Sequence, residues 1–215
     1  MGSVRELNIV IAGVGGQGQL FLSRLVAETF LRYGVPSMVA ETHGMSQRGG
    51  SVLVHVRVGK DVRAPLIPKG RADIMLGMEL IETARYVDYV KEGGVILAND
   101  KMIVPPGQHA KVERSALIEY VSGRSVRLYL LPSSSRAASL GIPLSANVHI
   151  FGALVALLEL AGIFGAEVDS LVEALLPRRF LTQNTVLYRL GKEDLKSVVN
   201  PVGLTGIQKL LGLLS

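Results

Sequence analysis

The 215-residue sequence contains no cysteine and no tryptophan, and only 5% of its residues are aromatic. Without thiolates the chain alone cannot form a disulfide, a thiolate zinc site or a cysteine-ligated iron–sulfur cluster. It also has no Gly-x-Ser-x-Gly nucleophile elbow and no Walker A sequence, which argues against a hydrolase. The four histidines lack the spacing of metal ligands, so we predict no metal site.

Charge is also scarce, because charged residues make up 19% of the chain against 48% hydrophobic residues. This composition is typical of a well-buried globular protein. The longest apolar stretch, residues 150–166, is interrupted by Glu159 and is shorter than the roughly 20 apolar residues that span a bilayer. We therefore predict a buried core helix, no membrane association and, since no signal sequence is evident, a cytoplasmic protein.

Much of the net charge of +5 comes from one run of cations between residues 57 and 71. Asp61 is the only acid in that run. Its cations could be protective charges on a solvated edge hairpin, or a surface that attracts an anionic cofactor or an acidic protein. No nucleic-acid-binding motif or interleaved aromatic residue accompanies them, so we predict no nucleic-acid partner. The cations are Arg57, Lys60, Arg63, Lys69 and Arg71.

The order of the predicted elements indicates an α/β fold, Rossmann-like, with a mainly parallel sheet, an antiparallel hairpin insertion and a helical C-terminal layer. We expect a single domain over residues 1–215, with the α/β core in residues 1–133 and mostly helices in 134–215. Residues 51–58 alternate in polarity, which predicts a half-buried antiparallel strand. The other predicted strands are 9–12, 36–41, 72–76, 95–98, 112–113 and 126–130. The predicted helices are 19–32, 79–91, 115–122, 134–140, 147–163, 168–175 and 185–189.

A glycine-rich turn, residues 13–18, joins the first apolar strand to the first helix. In nucleotide-binding α/β folds such a turn uses Gly13 for its tightness, Gly15 for the approach of a ligand to the backbone, and Gly18 for close packing of the helix. The free N–H groups of a helix N-terminus favour anions. Gly13, Gly15, Gly16, Gln17 and Gly18 are therefore candidate ligand-binding residues.

Two features of the next segment suggest different ligands. Glu41 follows Gly18 by 23 residues, where a dinucleotide site places an acid for the ribose hydroxyls. This favours a free-standing reductase that binds NAD(P) or FAD. The following loop instead concentrates groups that hold anions, move protons or donate hydrogen bonds. These candidate residues are His43, Ser46, Gln47 and Arg48.

The glycine turn together with the segment 41–52, Glu-Thr-His-Gly-Met-Ser-Gln-Arg-Gly-Gly-Ser-Val, resembles the gamma domain of 2-oxoacid:ferredoxin oxidoreductases. Within that group it is most similar to the beta subunits of indolepyruvate ferredoxin oxidoreductases. The likeness extends over most of the chain, through Ala72-Asp73 and Gly93-Gly94, and is weakest after residue 176. It implies a subunit that supports oxidative decarboxylation of a 2-oxoacid and is inactive alone.

The resemblance also implies where the cofactors are. Thiamine diphosphate with its Mg²⁺ and the iron–sulfur clusters would belong to a large partner subunit, which fits a chain without cysteine. Coenzyme A would be the acyl acceptor and ferredoxin the electron acceptor. This chain would pack against the thiamine-binding domains and help to position coenzyme A, whose phosphates the basic run 57–71 would suit. No catalytic residue is assigned to it.

Overall fold

The protein, as a computed structural model, is described over residues 6–43, 49–104 and 112–199. The strands are β1 (Leu7–Val14), β2 (Ser37–His43), β3 (Ser51–Val58), β4 (Ala72–Gly77), β5 (Val90–Asn99) and β6 (Arg127–Leu131). The helices are α1 (Gln19–Arg32), α2 (Leu80–Tyr86), α3 (Arg114–Ser122), α4 (Ser133–Ser139), α5 (Ala146–Leu160), α6 (Val168–Glu173) and α7 (Leu181–Val198). Short 3-10 turns, Val87–Tyr89 and Pro143–Ser145, precede β5 and α5.

One six-stranded sheet has the order β2-β3-β1-β4-β5-β6. Strands β1, β4, β5 and β6 are parallel, whereas β3 is antiparallel to both of its neighbours, β1 and β2. The predicted fold class is confirmed, including the hairpin insertion. The hairpin places β3 between β1 and β2, so that β2 is an edge strand.

Helices cover both faces of the sheet. One face packs against α1, α5, α6 and α7, in a cluster that includes Ile11 and Leu76 from the strands and Phe30 and Phe151 from the helices. The opposite face packs against α2 and α3 through residues such as Met75. Because the parallel strands are covered on both sides, they read as continuous apolar runs. Their carboxyl ends form one open rim, which carries the candidate site.

Helix α5 lies at the centre of the helical layer, and thirteen of its fifteen residues are buried. The stretch Pro143–Leu160 is long and apolar enough to cross a membrane by length and composition, but 72% of it is buried inside the fold. This burial agrees with the predicted core helix. The apolar side chains all around α5 are explained by contacts with the sheet and with α7.

Three predicted elements differ from the structure. The helix predicted over 79–91 ends at Tyr86, and Gly93-Gly94 lies within β5. The register between β4 and β5 shifts there, and a Cβ on Gly94 would lie 2.4 Å from Val90 Cγ1, so these glycines permit an irregular strand rather than end a helix. The predicted strand 112–113 is absent, because β5 and β6 pair directly and leave no room between them.

The third difference concerns the C-terminal helices, where α7 is 18 residues long and the prediction covered only 185–189. The remaining predicted strands and helices are present with ends shifted by a few residues. The predicted turn at Pro105-Pro106-Gly107 lies outside the described residues.

The basic run is not an edge hairpin, and β3 is not half-buried. Both faces of β3 are covered, because Leu53 and His55 pack under α2 and the segment around Ile67. Val58 pairs with Leu7, so the run follows β3 at the end of the sheet where β1 begins. The glycine turn follows the other end of β1, about 25 Å away at roughly 3.3 Å per residue. The run and the turn therefore cannot form one phosphate site.

Candidate functional site at the glycine turn

The glycine turn is held by the amide side chains of two glutamines. Gln17 accepts a hydrogen bond from Val14 N–H (2.8 Å) and donates to Met78 O (3.2 Å), while Gln19 Nε2 donates to Val14 O (2.8 Å). A Cβ on Gly13 would lie 2.5 Å from Gln19 Nε2 and 2.8 Å from Gln17 Oε1. The Cβ of Met78 would also lie 2.8 Å away, and because rotation of the Met78 side chain cannot move that atom, glycine is required at position 13.

The remaining glycines have roles that differ in part from the predicted ones. The N–H of Gly15 donates to Gly50 O at 2.8 Å, so it serves the fold and is not available to a ligand. Gly16 has a φ of 101° and no atom within 4 Å of a built Cβ, so it is the open position of the turn. Gly18, with a φ of 77°, packs against Asn147 at the start of α5, whose amide donates to Gly18 O at 3.3 Å.

The segment 41–52 contacts the glycine turn directly at one end and is level with it at the other. Gly50 bonds to Gly15, and at the other end His43 pairs with Val52, which pairs with Gly13. The backbone of His43 is therefore level with Gly13, two strands away. The side chain of His43 and the residues Ser46, Gln47 and Arg48 lie outside the described part of the structure.

The loop after β4 completes the rim. Met78 O accepts hydrogen bonds from Gln17 and from Asn99 Nδ2 (3.0 Å), and Asn99 also bonds to both the hydroxyl and the N–H of Ser134. Glu79 is completely buried, and its carboxylate accepts from the N–H groups of Glu82 and Ile103. These bonds connect the ends of β1, β4, β5 and β6 into one rigid edge.

A cleft of about 90 Å³ opens at this edge. It is lined by Gly16, Gln17, Met78, Asn99, Lys101, Ile103, Ser134, Pro143, Leu144 and Ala146. Pockets that enclose a whole small ligand have volumes of roughly 300–1,000 Å³, so this cleft holds only part of one. Leu144, at its mouth, is 85% exposed.

Sequence reasoning found the turn but missed Asn99, Lys101 and Ser134. Asn99 ends β5 and Ser134 lies just after β6, which are the positions where α/β sheets place their ligand-binding groups. The order of β4, β5 and β6 in the sheet was needed to bring these two residues next to residues 16 and 17. That order is a tertiary property which the local sequence does not carry.

Buried beside the cleft is a chain of polar groups with the residue types of a catalytic triad. Ser133 Oγ lies 2.9 Å from His149 Nδ1, and His149 Nε2 lies 3.1 Å from Asp194 Oδ2. Arg136 also donates two hydrogen bonds to Asp194. Because Ser133 and His149 have no exposed surface, no substrate reaches the hydroxyl, and the cluster fixes α4, α5 and α7 together.

Protonation of His149 should destabilise the fold. Burial lowers the pKa of His149 below 6.5, although the bond to Asp194 opposes this, so the neutral ring accepts from Ser133 and donates to Asp194. The unfolded state then binds a proton more readily, and the free energy of unfolding should fall as the pH drops below about 6.5, by at most about 1.4 kcal/mol per pH unit.

Urea unfolding between pH 5 and 8 measures this effect. His149→Gln should be less stable than the wild type at pH 8 and should lose less stability on acidification. Burial also lowers the pKa of His55, so His55→Gln is the matched variant. It should remove a separate part of the slope of the free energy of unfolding against pH. An unchanged slope in His149→Gln would contradict the assignment.

The sequence profile of the family "Pyruvate ferredoxin/flavodoxin oxidoreductase" matches residues 8–193. The chain belongs to this family. Among curated members, "Indolepyruvate oxidoreductase subunit IorB" of Archaeoglobus fulgidus is 37% identical over 86% of this chain and 94% of that protein. The subunit of the same name from Pyrococcus horikoshii is 32% identical over 92% of this chain and all of that protein.

Solved structures of this oxidoreductase family share the fold. A keto/oxoacid ferredoxin oxidoreductase gamma subunit from Geobacter sulfurreducens has a TM-score of 0.66 at 22% identity, covering 89% of this chain and 99% of that one. A 2-oxoglutarate:ferredoxin oxidoreductase from Magnetococcus marinus, whose structure contains 2-oxoglutarate, coenzyme A and succinyl-CoA, has a TM-score of 0.66 at 20% identity. The match covers 91% of this chain and 32% of that chain.

Family membership and geometry together argue against the dinucleotide interpretation. Glu41 is on β2, and β3 separates β2 from β1, so Glu41 lies about two strand spacings, or roughly 10 Å, from the strand that leads into the glycine turn. A Rossmann site needs the acid on the neighbouring strand. The cleft is also too small for a dinucleotide, and the comparisons support the ferredoxin oxidoreductase interpretation instead.

Proposed function

We propose that this chain is the subunit without clusters of a 2-oxoacid:ferredoxin oxidoreductase that converts an aryl pyruvate such as indolepyruvate to an acyl-CoA. The observation that carries the proposal is the similarity to indolepyruvate oxidoreductase subunits, at 32–37% identity over 86–92% of this chain. The large subunit performs the decarboxylation, and ferredoxin accepts the electrons. The single gamma-type domain is inactive alone and acts in the cytoplasm.

The residues of the chain support a division of cofactors between subunits. The sequence has no cysteine to ligate a cluster, and the described residues include no group of three His, Asp or Glu that could hold a metal ion. The cleft of about 90 Å³ is too small for thiamine diphosphate. Thiamine diphosphate, Mg²⁺ and the iron–sulfur clusters therefore bind to the partner, where they supply the electron sink and the electron path.

The glycine turn and residues 43–48 form the side of this subunit that faces the shared active site. Two observations support this assignment: Gly15 donates a hydrogen bond to Gly50, and the pairing of β1, β3 and β2 places His43 level with Gly13. Gly16 and Gln17 with His43, Ser46, Gln47 and Arg48 contact either coenzyme A or a loop of the partner. Arg48→Ala distinguishes the two, because it raises the KM for coenzyme A in the first case and weakens subunit association in the second.

Co-expression with the large thiamine- and cluster-binding subunit of the same organism tests the proposal. Neither chain alone should reduce ferredoxin, and the purified complex should do so when supplied with indolepyruvate and coenzyme A. Phenylpyruvate, pyruvate and 2-oxoglutarate should be compared at equal concentration to define the substrate. Full activity of the large subunit alone would contradict the proposed role.

A further inference from the structure

Among the described residues, those that line the cleft at the glycine turn offer hydrogen-bond donors and include no carboxylate. Lys101 is the only charged residue among the ten lining residues that the structure describes. Its side chain is exposed and makes no hydrogen bond or ion pair within the described part of the chain. The hydroxyl of Ser134 accepts from Asn99 Nδ2 at 2.8 Å, which leaves its O–H free to donate into the cleft.

The neighbouring acids are already engaged and do not neutralise Lys101. Asp100 accepts two hydrogen bonds of 2.7 Å from Arg114. The buried carboxylate of Glu79 accepts from the N–H groups of Glu82 and Ile103. No acid in the described part of the chain neutralises Lys101, so its positive charge is available to a ligand in the cleft.

The backbone of Lys101 is fixed by two hydrogen bonds. Its carbonyl accepts from Leu80 N–H at 2.9 Å, and its N–H donates to Asn99 O at 2.7 Å. Ser134 is fixed by the bidentate contact with Asn99. Because the backbone at both residues is already fixed, ligand binding has to order only the side chain of Lys101.

We propose that this cleft binds a single oxyanion, a phosphate or a carboxylate, through Lys101 Nζ and Ser134 Oγ. Its volume corresponds to about three water molecules at roughly 30 Å³ each, which suits one such group and excludes a whole cofactor. The inference rests on the proposed function, in which three oxyanions approach this rim: a phosphate of coenzyme A, a phosphate of thiamine diphosphate, and the carboxylate of the 2-oxoacid.

The test compares Lys101→Met with Lys101→Arg in the assembled complex. Lys101→Met should raise the KM for coenzyme A, the KM for the 2-oxoacid or the activation constant for thiamine diphosphate by between about tenfold and a hundredfold, the usual range for a charge-assisted hydrogen bond. The constant that changes identifies the oxyanion. Lys101→Arg keeps the charge and should restore most of the affinity.

Lys69→Met is the matched control, because Lys69 is an exposed lysine at the opposite end of the sheet. It should leave all three constants unchanged. In the wild-type complex, the constant that Lys101→Met raises should itself increase with salt concentration, because salt screens the lysine charge. In the Lys101→Met complex the same constant should not depend on salt. An active Lys101→Met complex in which all three constants stay within twofold of wild type would overturn the oxyanion site and leave the proposed function intact.

If no active complex forms, a titration of the isolated chain with inorganic phosphate tests the oxyanion site separately from the proposed function. Saturable shifts of the Lys101 and Ser134 amide resonances, lost in Lys101→Met, would support the site even though the proposed function had failed. Unchanged resonances at millimolar phosphate would overturn the site.

Discussion

Gly191→Ala should lower the free energy of unfolding by about 3 kcal/mol, the upper end of the range for overpacking a core. The crossing of α5 and α7 is closed by two glycines. A Cβ on Gly191 would lie 2.0 Å from His149 O, and one on Gly152 would lie 2.1 Å from Tyr188 O. Because backbone atoms oppose the new methyl group, no side-chain rotation can relieve the overlap, and the helices must separate.

Separation of α5 and α7 would also disturb the polar groups that join them. Asp194 on α7 bonds to His149, and Lys192 on α7 bonds to Glu159 of α5 at 2.7 Å. Gly123→Ala is a matched control, since Gly123 ends α3 with a φ of −68° and its built Cβ is 3.3 Å from the nearest atom. Chemical denaturation measures both variants. If Gly191→Ala lowers the free energy of unfolding no more than Gly123→Ala does, the crossing of α5 and α7 can adjust to the added methyl group.

Helix α7 shows why part of the fold could not be read from the sequence. Its buried positions 184, 187, 188, 191, 192 and 195 have the spacing of one helical face. Three of those positions are Asn184, Gly191 and Lys192, which a search for apolar periodicity does not count. Lys192 is buried because its ammonium group bonds to Glu159 and Asp169, and Gly191 is buried because α5 crosses there. Both residues are therefore buried by tertiary contacts, which the local sequence does not reveal.

The six strands of the sheet and α1 were predictable because their signals are local. Residues 19–32 follow a glycine turn and precede Gly34, and α1 has those bounds. In contrast, burial of β3 on both faces depends on residues around Ile67, which cover it from outside the hairpin. The alternating pattern of β3 suggested one solvated face because Ser51, His55 and Arg57 are polar. In the structure they bond to Glu82, to Ile67 N–H and to Asn8.

The candidate site was predictable at the glycine turn and not beyond it. The turn is contiguous in sequence, and two of the three closest contacts around Gly13 come from the nearby Gln17 and Gln19. The other side of the cleft comes from the ends of β5 and β6, more than 80 residues later. The dinucleotide hypothesis was plausible for the same reason, because a 23-residue spacing to Glu41 does not reveal that β3 is inserted between β1 and β2.

Leu144→Asp should weaken the association with the large subunit by at least tenfold while leaving the stability of the isolated chain unchanged. Leu144 is 85% exposed, so its side chain contributes little to folding. It lies at the mouth of the cleft beside Pro143 and Ala146, where the proposed function places the partner. Burial of a leucine side chain in an interface stabilises the complex. An aspartate in its place would lose its hydration without gaining a partner charge, which destabilises the complex.

Leu66→Asp provides the comparison, because Leu66 is also an exposed leucine, at 54%, but lies in the basic run at the opposite end of the sheet. Calorimetric titration of each variant with the large subunit gives the dissociation constant, and thermal unfolding checks the fold. Equal affinities for Leu144→Asp and the wild type would place the interface elsewhere. A large loss in Leu66→Asp alone would place it at the basic run, so the pair of variants assigns the partner to one end of the sheet.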